Sequence, residues 1–127
     1  ILSPAMGGII IGYELGRILN KQTIFSERVN EEFKLRRDFK IKKGNKVLIV
    51  EDVITTGKSS MECSKLVTLS NANIVGYACI IDRSNGKSKI REKIVSQVKL
   101  NIPTYSKDNL PKELLSIEAV KPGSRNL

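Results

Sequence analysis

Composition and pattern favour an α/β fold, a mostly parallel sheet flanked by helices, in a single domain over residues 1–127. Apolar runs rich in β-branched residues alternate with segments whose apolar residues recur at helical spacing. The run Val47–Val50 is apolar throughout, as expected for a strand buried on both faces. No repeat and no Pro/Gly-rich linker divides the chain, so one core is expected.

The first predicted elements are a strand, a helix and a second strand. Ile1–Leu2 form the end of a strand, and Gly7–Gly8 open a segment with apolar residues at helical spacing. Two further glycines, Gly12 and Gly16, weaken this helix but permit close packing against a sheet. Thr23–Ser26 is predicted to be a short strand.

The middle of the chain predicts a loop, the buried strand and a second helix. A polar stretch, Glu27–Asn45, precedes the strand, and a loop over Glu51–Gly57 follows it. A helix over Ser59–Leu69 begins with Ser59 and Glu62 in the spacing of a capping box. Its inward-facing residues are predicted to be Met61, Leu66 and Leu69.

Two strands complete the predicted sheet. Ile74–Ile81 is an apolar run that ends at a sequence rich in turn formers, residues 82–86. Ile94–Ile102 alternates between apolar and polar residues, which is typical of a strand.

Composition excludes several function classes. Lys and Arg number 22 against 13 Asp and Glu, a net charge of +9, and the absence of histidine removes Ser-His-Asp catalysis and His-ligated zinc. No apolar run approaches the roughly 20 residues of a membrane span, so a soluble, cytoplasmic protein is expected. Two well-separated cysteines predict reduced, buried thiols. Packing roles are predicted for Cys63, Cys79, Met6, Met61, Phe25 and Tyr77.

The residues best suited to chemistry lie in one segment, Val47–Ser60, with the sequence VLIVEDVITTGKSS. A buried strand leads there into a loop and a helix, which is where ligands bind in open α/β sheets. Backbone N–H groups at a helix start, beside Gly57, suit a phosphate, whereas the carboxylates of Glu51 and Asp52 suit a sugar diol or Mg²⁺. The nearby hydroxyls are those of Thr55, Thr56 and Ser59.

Two other interpretations of this segment exist. Gly57-Lys58-Ser59 is similar to the end of a nucleotide-triphosphate P-loop, but Asp52 stands where that motif requires glycine, which excludes it. Helix capping explains Ser59 as well as phosphate binding does, and acids favour a helix start. Capping does not explain the run of acids, threonines and glycine together.

VLIVEDVITTGKSS resembles the phosphoribosyl-pyrophosphate motif of type I phosphoribosyltransferases. Ser3–Gly8 resembles the pyrophosphate loop of the orotate-specific members of that family, and Phe25–Arg37 resembles their mobile loop. Ile81–Ser84 is similar to their orotate-carboxylate segment, and Lys121–Arg125 to the C-terminus of one bacterial branch. The resemblance implies transfer of the phosphoribosyl group to orotate, giving orotidine monophosphate and pyrophosphate in pyrimidine biosynthesis.

The resemblance also implies a role for individual residues. Glu51 and Asp52 are expected to be catalytic and to bind the ribose hydroxyls directly or beside a Mg²⁺ cofactor. The donor, phosphoribosyl pyrophosphate, is expected to contact Glu51, Asp52, Val53, Ile54, Thr55, Thr56, Gly57, Lys58 and Ser59. The pyrophosphate loop comprises Ala5, Met6, Gly7 and Gly8, the mobile loop carries Arg28, Lys34, Arg36 and Arg37, and orotate is bound by Thr55 and Arg83. The family shares its mobile loop across a subunit interface, which implies a homodimer.

The sequence departs from the family pattern at three places. Gly7 occupies a position where many orotate enzymes carry a lysine. Leu110–Leu114 lacks the cysteine pair that commonly precedes the C-terminal motif, and no histidine is available for the mobile loop. The resemblance further implies that several dozen residues of the hood over the base are missing before Ile1.

Alternatives remain for the basic residues. Between Lys34 and Lys46 seven cations face the single acid Asp38, which predicts a loop that closes over an anion, a solvated face, or an RNA-binding surface. Few aromatics disfavour RNA. A catalytically inactive regulator of the same fold, or an enzyme for another base, is the alternative function. Arg83 either grips the orotate carboxylate bidentately or pairs with Asp82.

Overall fold

A computed structural model describes residues 1–118 and 120, and its strands form one six-stranded sheet. In chain order the elements are β1 Leu2–Pro4, α1 Gly8–Leu19, β2 Ile24–Val29, β3 Glu32–Leu35, β4 Lys46–Ile54, α2 Lys58–Leu69, β5 Asn73–Asp82 and β6 Ile94–Lys99. Two short 3₁₀ helices, Lys107–Asn109 and Lys112–Leu114, follow β6.

The strand order is β3-β2-β1-β4-β5-β6, and every neighbouring pair is parallel except the β2–β3 hairpin. This confirms the predicted mostly parallel α/β sheet. The connection through α1 leads from β1 to β2, whereas the connection through α2 leads from β4 to β5 in the opposite direction. Because such crossovers are right-handed, the two helices cover opposite faces and the chain diverges between β1 and β4.

Helix α1 packs on the sheet through its glycines, as predicted. A Cβ atom at Gly12 would lie 2.0 Å from Oγ of Ser3, and one at Gly16 would lie 2.0 Å from Oγ1 of Thr23. The close packing leaves the apolar outer face of the helix in solvent, with Ile10 78% exposed.

The predictions of two loops, Glu27–Asn45 and Glu51–Gly57, are wrong in part. The stretch Glu27–Asn45 contains the end of β2 and all of β3, which turn at Asn30 and Glu31 with positive φ angles of 49° and 67°. The strand signal is weak because only Phe33 of β3 is buried. The predicted loop over Glu51–Gly57 is strand as far as Ile54, since pairing with β5 continues through Glu51 and Cys79 to Ile54 and Asp82.

The predicted capping box of the second helix is also wrong. Gly57, not Ser59, caps α2, and no side chain caps it. The buried face consists of Ser60, Cys63, Ser64 and Val67, so Leu69, predicted to face inward, is 80% exposed.

The residues predicted to pack are buried or half-buried with one exception, although Phe25 lies outside the main core, against Phe39. Cys63, Cys79 and Tyr77 are buried, and both thiols are free. Burial raises the pKa of Cys63 to about 12, which makes this thiol inert at neutral pH. Met6 is instead 81% exposed, because the loop after β1 leaves the sheet.

Near the end of the chain, β6 stops at Lys99, so the predicted strand Ile94–Ile102 is three residues too long. The motif Lys121–Arg125 lies outside the described residues. Among the residues that the structure describes, no helix has the length and apolarity required to cross a membrane.

Candidate active site

The candidate site lies at the carboxyl ends of β1 and β4, where the chain diverges to the two sides of the sheet. The loop Ala5–Gly8 follows β1, and the loop Thr55–Gly57 follows β4. A Cβ atom at Gly8 would lie 2.9 Å from the carbonyl oxygen of Val50, so the first loop lies directly against β4. Ligands bind in such a crevice in open α/β sheets.

The acid pair stands at this end of β4, and its two members have different surroundings. The hydroxyl of Ser60, in the first turn of α2, donates a hydrogen bond to the carboxylate of Glu51. Oδ1 of Asp52 accepts a hydrogen bond of 2.9 Å from the N–H of Val53, and the same carboxylate faces Gly7 at the start of α1. Consecutive strand residues point to opposite faces, which explains why each acid meets a different helix.

Burial raises the pKa of Glu51, and the neighbouring negative charge of Asp52 raises it further, while the Ser60 hydrogen bond acts in the opposite direction. Sequence reasoning missed Ser60. The signal for it is its place in the first turn of a helix that packs back over the strand carrying the acid.

The loop after β4 is held in place by contacts with residues 89 and 90 of the connection between β5 and β6. Gly57 is buried with a φ of 76°, in the left-handed region that favours glycine. A Cβ atom here would meet Cδ1 of Ile90 at 3.0 Å. The N–H of Lys89 donates to the carbonyl of Thr56 at 3.2 Å. The side chains of Thr55 and Thr56 remain exposed.

This loop forms one wall of a cavity of about 420 Å³ that also reaches Arg83. The Nε atom of Arg83 is buried and has no hydrogen-bond partner, while the backbone N–H of Arg83 donates to Ile54 at 2.8 Å. The remaining lining residues are Ser84, Asn85, Lys87, Asn101, Ile102, Pro103 and Thr104. The structure therefore brings Thr55, Thr56 and Arg83 to one cavity.

The alternative pairing of Arg83 with Asp82 is not found among the described residues. Oδ1 of Asp82 accepts the backbone N–H of Ser84 at 2.8 Å, and hydrogen bonding with Ser84 lowers the pKa of Asp82. Sequence reasoning also missed Lys87, Asn101 and Thr104. Lys87 follows the turn directly after β5, so the sequence alone could have placed it beside the site. Asn101 and Thr104 line the cavity because the fold brings the segment after β6 to this place.

The cations predicted for the mobile loop lie on or beside the β2–β3 hairpin, and most of them contact acids. Nη2 of Arg28 lies 2.5 Å from the Glu62 carboxylate of α2, and its guanidinium stacks 4.3 Å from the ring centre of Phe33. Two more ion pairs join Arg37 to Glu27 at 3.1 Å and Lys34 to Glu32 at 3.9 Å. Arg36 makes no ion pair with any described residue.

The fold and the site define an α/β protein with an acid pair and a glycine-containing loop at the point where the chain diverges. Comparison with known proteins agrees, since residues 1–110 match the phosphoribosyl transferase domain family. The chain belongs to that family. The predicted resemblance to type I phosphoribosyltransferases is thereby confirmed.

Two curated relatives, both named orotate phosphoribosyltransferase, match all of this chain. The protein from Parvibaculum lavamentivorans is 48% identical over 127 residues, and this chain covers 66% of it. The protein from Methylorubrum populi is 50% identical over 128 residues, with 65% covered. The chain thus spans about two thirds of the length of these relatives.

Solved structures share the fold at low sequence identity. An adenine phosphoribosyltransferase from Thermoanaerobacter pseudethanolicus has a TM-score of 0.69 and 19% identity, over 78% of this chain and 68% of that one. An orotate phosphoribosyltransferase from Aeropyrum pernix has a TM-score of 0.65 and 20% identity, over 78% and 59%. These structures bear on the fold alone.

Proposed function

We propose that this chain catalyses transfer of ribose phosphate from phosphoribosyl pyrophosphate to a ring nitrogen of orotate, giving orotidine monophosphate and pyrophosphate. The observation that carries the proposal is the cavity joining the exposed threonines of the loop Thr55–Gly57, here named the phosphate loop, to Arg83. A buried guanidinium nitrogen without a protein partner is costly unless a ligand satisfies it, and a planar guanidinium suits a carboxylate. The names of the relatives agree with this substrate.

The two loops of the site bind different parts of the donor. Thr55–Ser59 hold the ribose phosphate through hydroxyls and backbone N–H groups, and Ala5–Gly8 meet the departing pyrophosphate. Glu51 and Asp52 offer their carboxylates to the ribose hydroxyls from the end of β4. Bond breaking at the anomeric carbon gives an oxocarbenium-like state, so the chain has to orient both reactants and exclude water rather than supply a nucleophile.

Mg²⁺ is the cofactor that we propose, and the donor set fits it. Glu51 and Asp52 offer carboxylate oxygens, which Mg²⁺ prefers, at the place where the donor's own oxygens arrive. Within residues 1–118 and 120, no three His, Cys, Asp or Glu side chains cluster closely enough to hold a metal ion. The donor's own oxygens would complete the coordination of an ion held by these two acids. When bound, the ion neutralises charge on the leaving pyrophosphate.

We further propose a homodimer that works in the cytoplasm. The outer face of α1 exposes a line of apolar side chains, Ile10, Tyr13 and Ile18, which a second subunit would cover. Ile10→Glu is expected to give a monomer in sedimentation, whereas Leu69→Glu, at a similarly exposed site on α2, leaves the dimer intact. Equal sedimentation of both variants and the wild type would contradict this interface. The two free, buried thiols suit a reducing compartment.

The function is tested through Arg83. Arg83→Ala is expected to raise the orotate KM roughly tenfold to a hundredfold, because it removes a charge-assisted bond to a desolvated carboxylate, and to leave the donor KM nearly unchanged. Arg83→Lys recovers only part of the loss. The assay follows the loss of orotate absorbance, in a protein with the full length of the curated relatives.

The matched control is Arg91→Ala, which removes the same charge from an exposed position on the same connection between β5 and β6. If Arg83→Ala keeps the wild-type dependence on orotate, the assignment of Arg83 is wrong. A wild-type protein that binds the donor but consumes neither orotate nor another base would instead support the regulator.

A further inference from the structure

The point where the two loops of the site meet is occupied by Gly7. A Cβ atom at this position would lie 2.2 Å from Oδ2 of Asp52, 2.6 Å from its Cγ and 2.9 Å from its Oδ1. All three distances are shorter than real Cβ contacts. The carboxylate of Asp52 thus rests against the backbone of the pyrophosphate loop, in the space that any side chain at position 7 would take.

The requirement for glycine at position 7 is steric rather than conformational. Gly7 has φ −56° and ψ −42°, which any residue adopts, in contrast to Gly57 with its positive φ. On its other side, Oδ1 of Asp52 is fixed by the N–H of Val53 at 2.9 Å. A methyl group at position 7 would therefore displace the carboxylate from this hydrogen bond before it displaces the backbone.

We propose that Gly7 is a positioning residue for the donor. Because Gly7 has no side chain, the carboxylate of Asp52 at the end of β4 contacts the backbone of the pyrophosphate loop after β1. The ribose-binding acid and the pyrophosphate loop are therefore held in a fixed relative position. This inference rests on the proposed function and deepens it. The two ends of the donor, ribose and pyrophosphate, would then meet groups whose relative position is set before binding, which lowers the cost of orienting the donor.

Charge and packing predict opposite changes in donor affinity for the variant Gly7→Lys. A lysine at position 7 adds a cation beside the pyrophosphate, and electrostatics alone would predict tighter binding of the donor. Its side chain starts in the space held by the Asp52 carboxylate, so our proposal predicts weaker binding for Gly7→Lys as well as for Gly7→Ala.

A double-mutant cycle tests the proposal, with Gly7→Ala, Asp52→Ala and the double variant titrated calorimetrically with phosphoribosyl pyrophosphate and Mg²⁺. Gly7→Ala alone is expected to weaken donor binding roughly tenfold to a hundredfold, the scale of losing a charge-assisted hydrogen bond. In the Asp52→Ala background the same change is expected to cost less than about twofold, because the atoms that it displaces are gone. Additive effects would overturn the proposal.

The control is Gly16→Ala, which inserts the same methyl group into the helix that Gly7 caps, 2.0 Å from Oγ1 of Thr23 and away from the site. It is expected to lower the thermal midpoint and leave donor affinity unchanged. Thermal unfolding of every variant separates loss of fold from loss of binding. If the wild type does not bind the donor, the proposed function fails; if it binds and folded Gly7→Ala or Gly7→Lys binds equally well, only the role of Gly7 fails.

Discussion

The phosphate loop after β4 and the cationic β2–β3 hairpin are built by different means. Packing and backbone bonds fix the phosphate loop, since Ile90 lies against Gly57 and the N–H of Lys89 bonds Thr56. The β2–β3 hairpin instead turns its cations toward acids of the protein, among them Glu62 and Glu27. Apolar contacts hold one geometry, whereas partly exposed ion pairs are weak and exchange partners readily.

This difference matches the two tasks that the proposed reaction sets. A ribose phosphate has to be held in one orientation throughout the reaction, which a rigid loop provides. A leaving pyrophosphate has to be neutralised and then released, and cations that return to protein acids suit such a cycle. The comparison predicts that changes in the phosphate loop abolish binding, whereas changes in the hairpin mainly slow turnover.

The largest effect is expected from Gly57→Val. The substitution places a β-branched residue at a φ of 76° and drives its Cβ to 3.0 Å from Ile90. Strain of this kind costs about 1–3 kcal/mol, so the fold should persist with a lower thermal midpoint. Donor affinity, measured by calorimetry, should fall more than about a hundredfold because the backbone N–H groups lose their arrangement.

Gly44→Val is the matched control for strain alone, because Gly44 has a φ of 78° and no heavy atom within 4 Å of the place where its Cβ would lie. It should lose a similar amount of stability and keep donor affinity. A folded Gly57→Val protein that binds the donor normally would exclude this loop from the site.

A smaller effect is expected from the hairpin and the residues directly after it. The triple variant Lys34→Ala, Arg36→Ala and Arg37→Ala should lower kcat about tenfold with a nearly unchanged orotate KM, because the proposed role of these groups is to neutralise the leaving pyrophosphate. The control removes three charges from the same basic stretch, at Lys40, Lys42 and Lys43. Equal loss in both triple variants would indicate a general field effect, and lost RNA affinity with intact turnover would support the regulator.

Sequence reasoning located the two regions unequally. The phosphate loop was predictable because a buried apolar strand, two acids and a glycine follow one another in a continuous segment, Val47–Ser60. The hairpin was missed because its second strand is only four residues long and carries just two apolar residues, Phe33 and Leu35, within a charged stretch. Contacts such as Gly7 with Asp52 and Gly57 with Ile90 join distant parts of the chain, so only the folded sheet reveals them.

The smallest expected effect concerns Glu51, which lies on β4 just before the rigid phosphate loop. Burial raises the folded-state pKa of Glu51 above its unfolded value, so the folded protein binds this proton more tightly. Its contribution to stability is therefore present below the unfolded pKa and is lost as pH rises through the folded pKa. Once ionised, the half-buried carboxylate destabilises the fold, because its charge has lost part of its hydration.

Glu51→Gln should remove that cost while Gln retains an oxygen to accept the Ser60 hydroxyl. We expect the free energy of unfolding at pH 7 to rise by on the order of 1 kcal/mol or less, with the difference shrinking as pH falls toward the unfolded pKa. Urea unfolding at several pH values measures this, and Asp108→Asn, on the exposed 3₁₀ helix after β6, is the control for removing one negative charge. A stability gain that is independent of pH would contradict the explanation, because packing of the amide rather than ionisation of Glu51 would then be responsible.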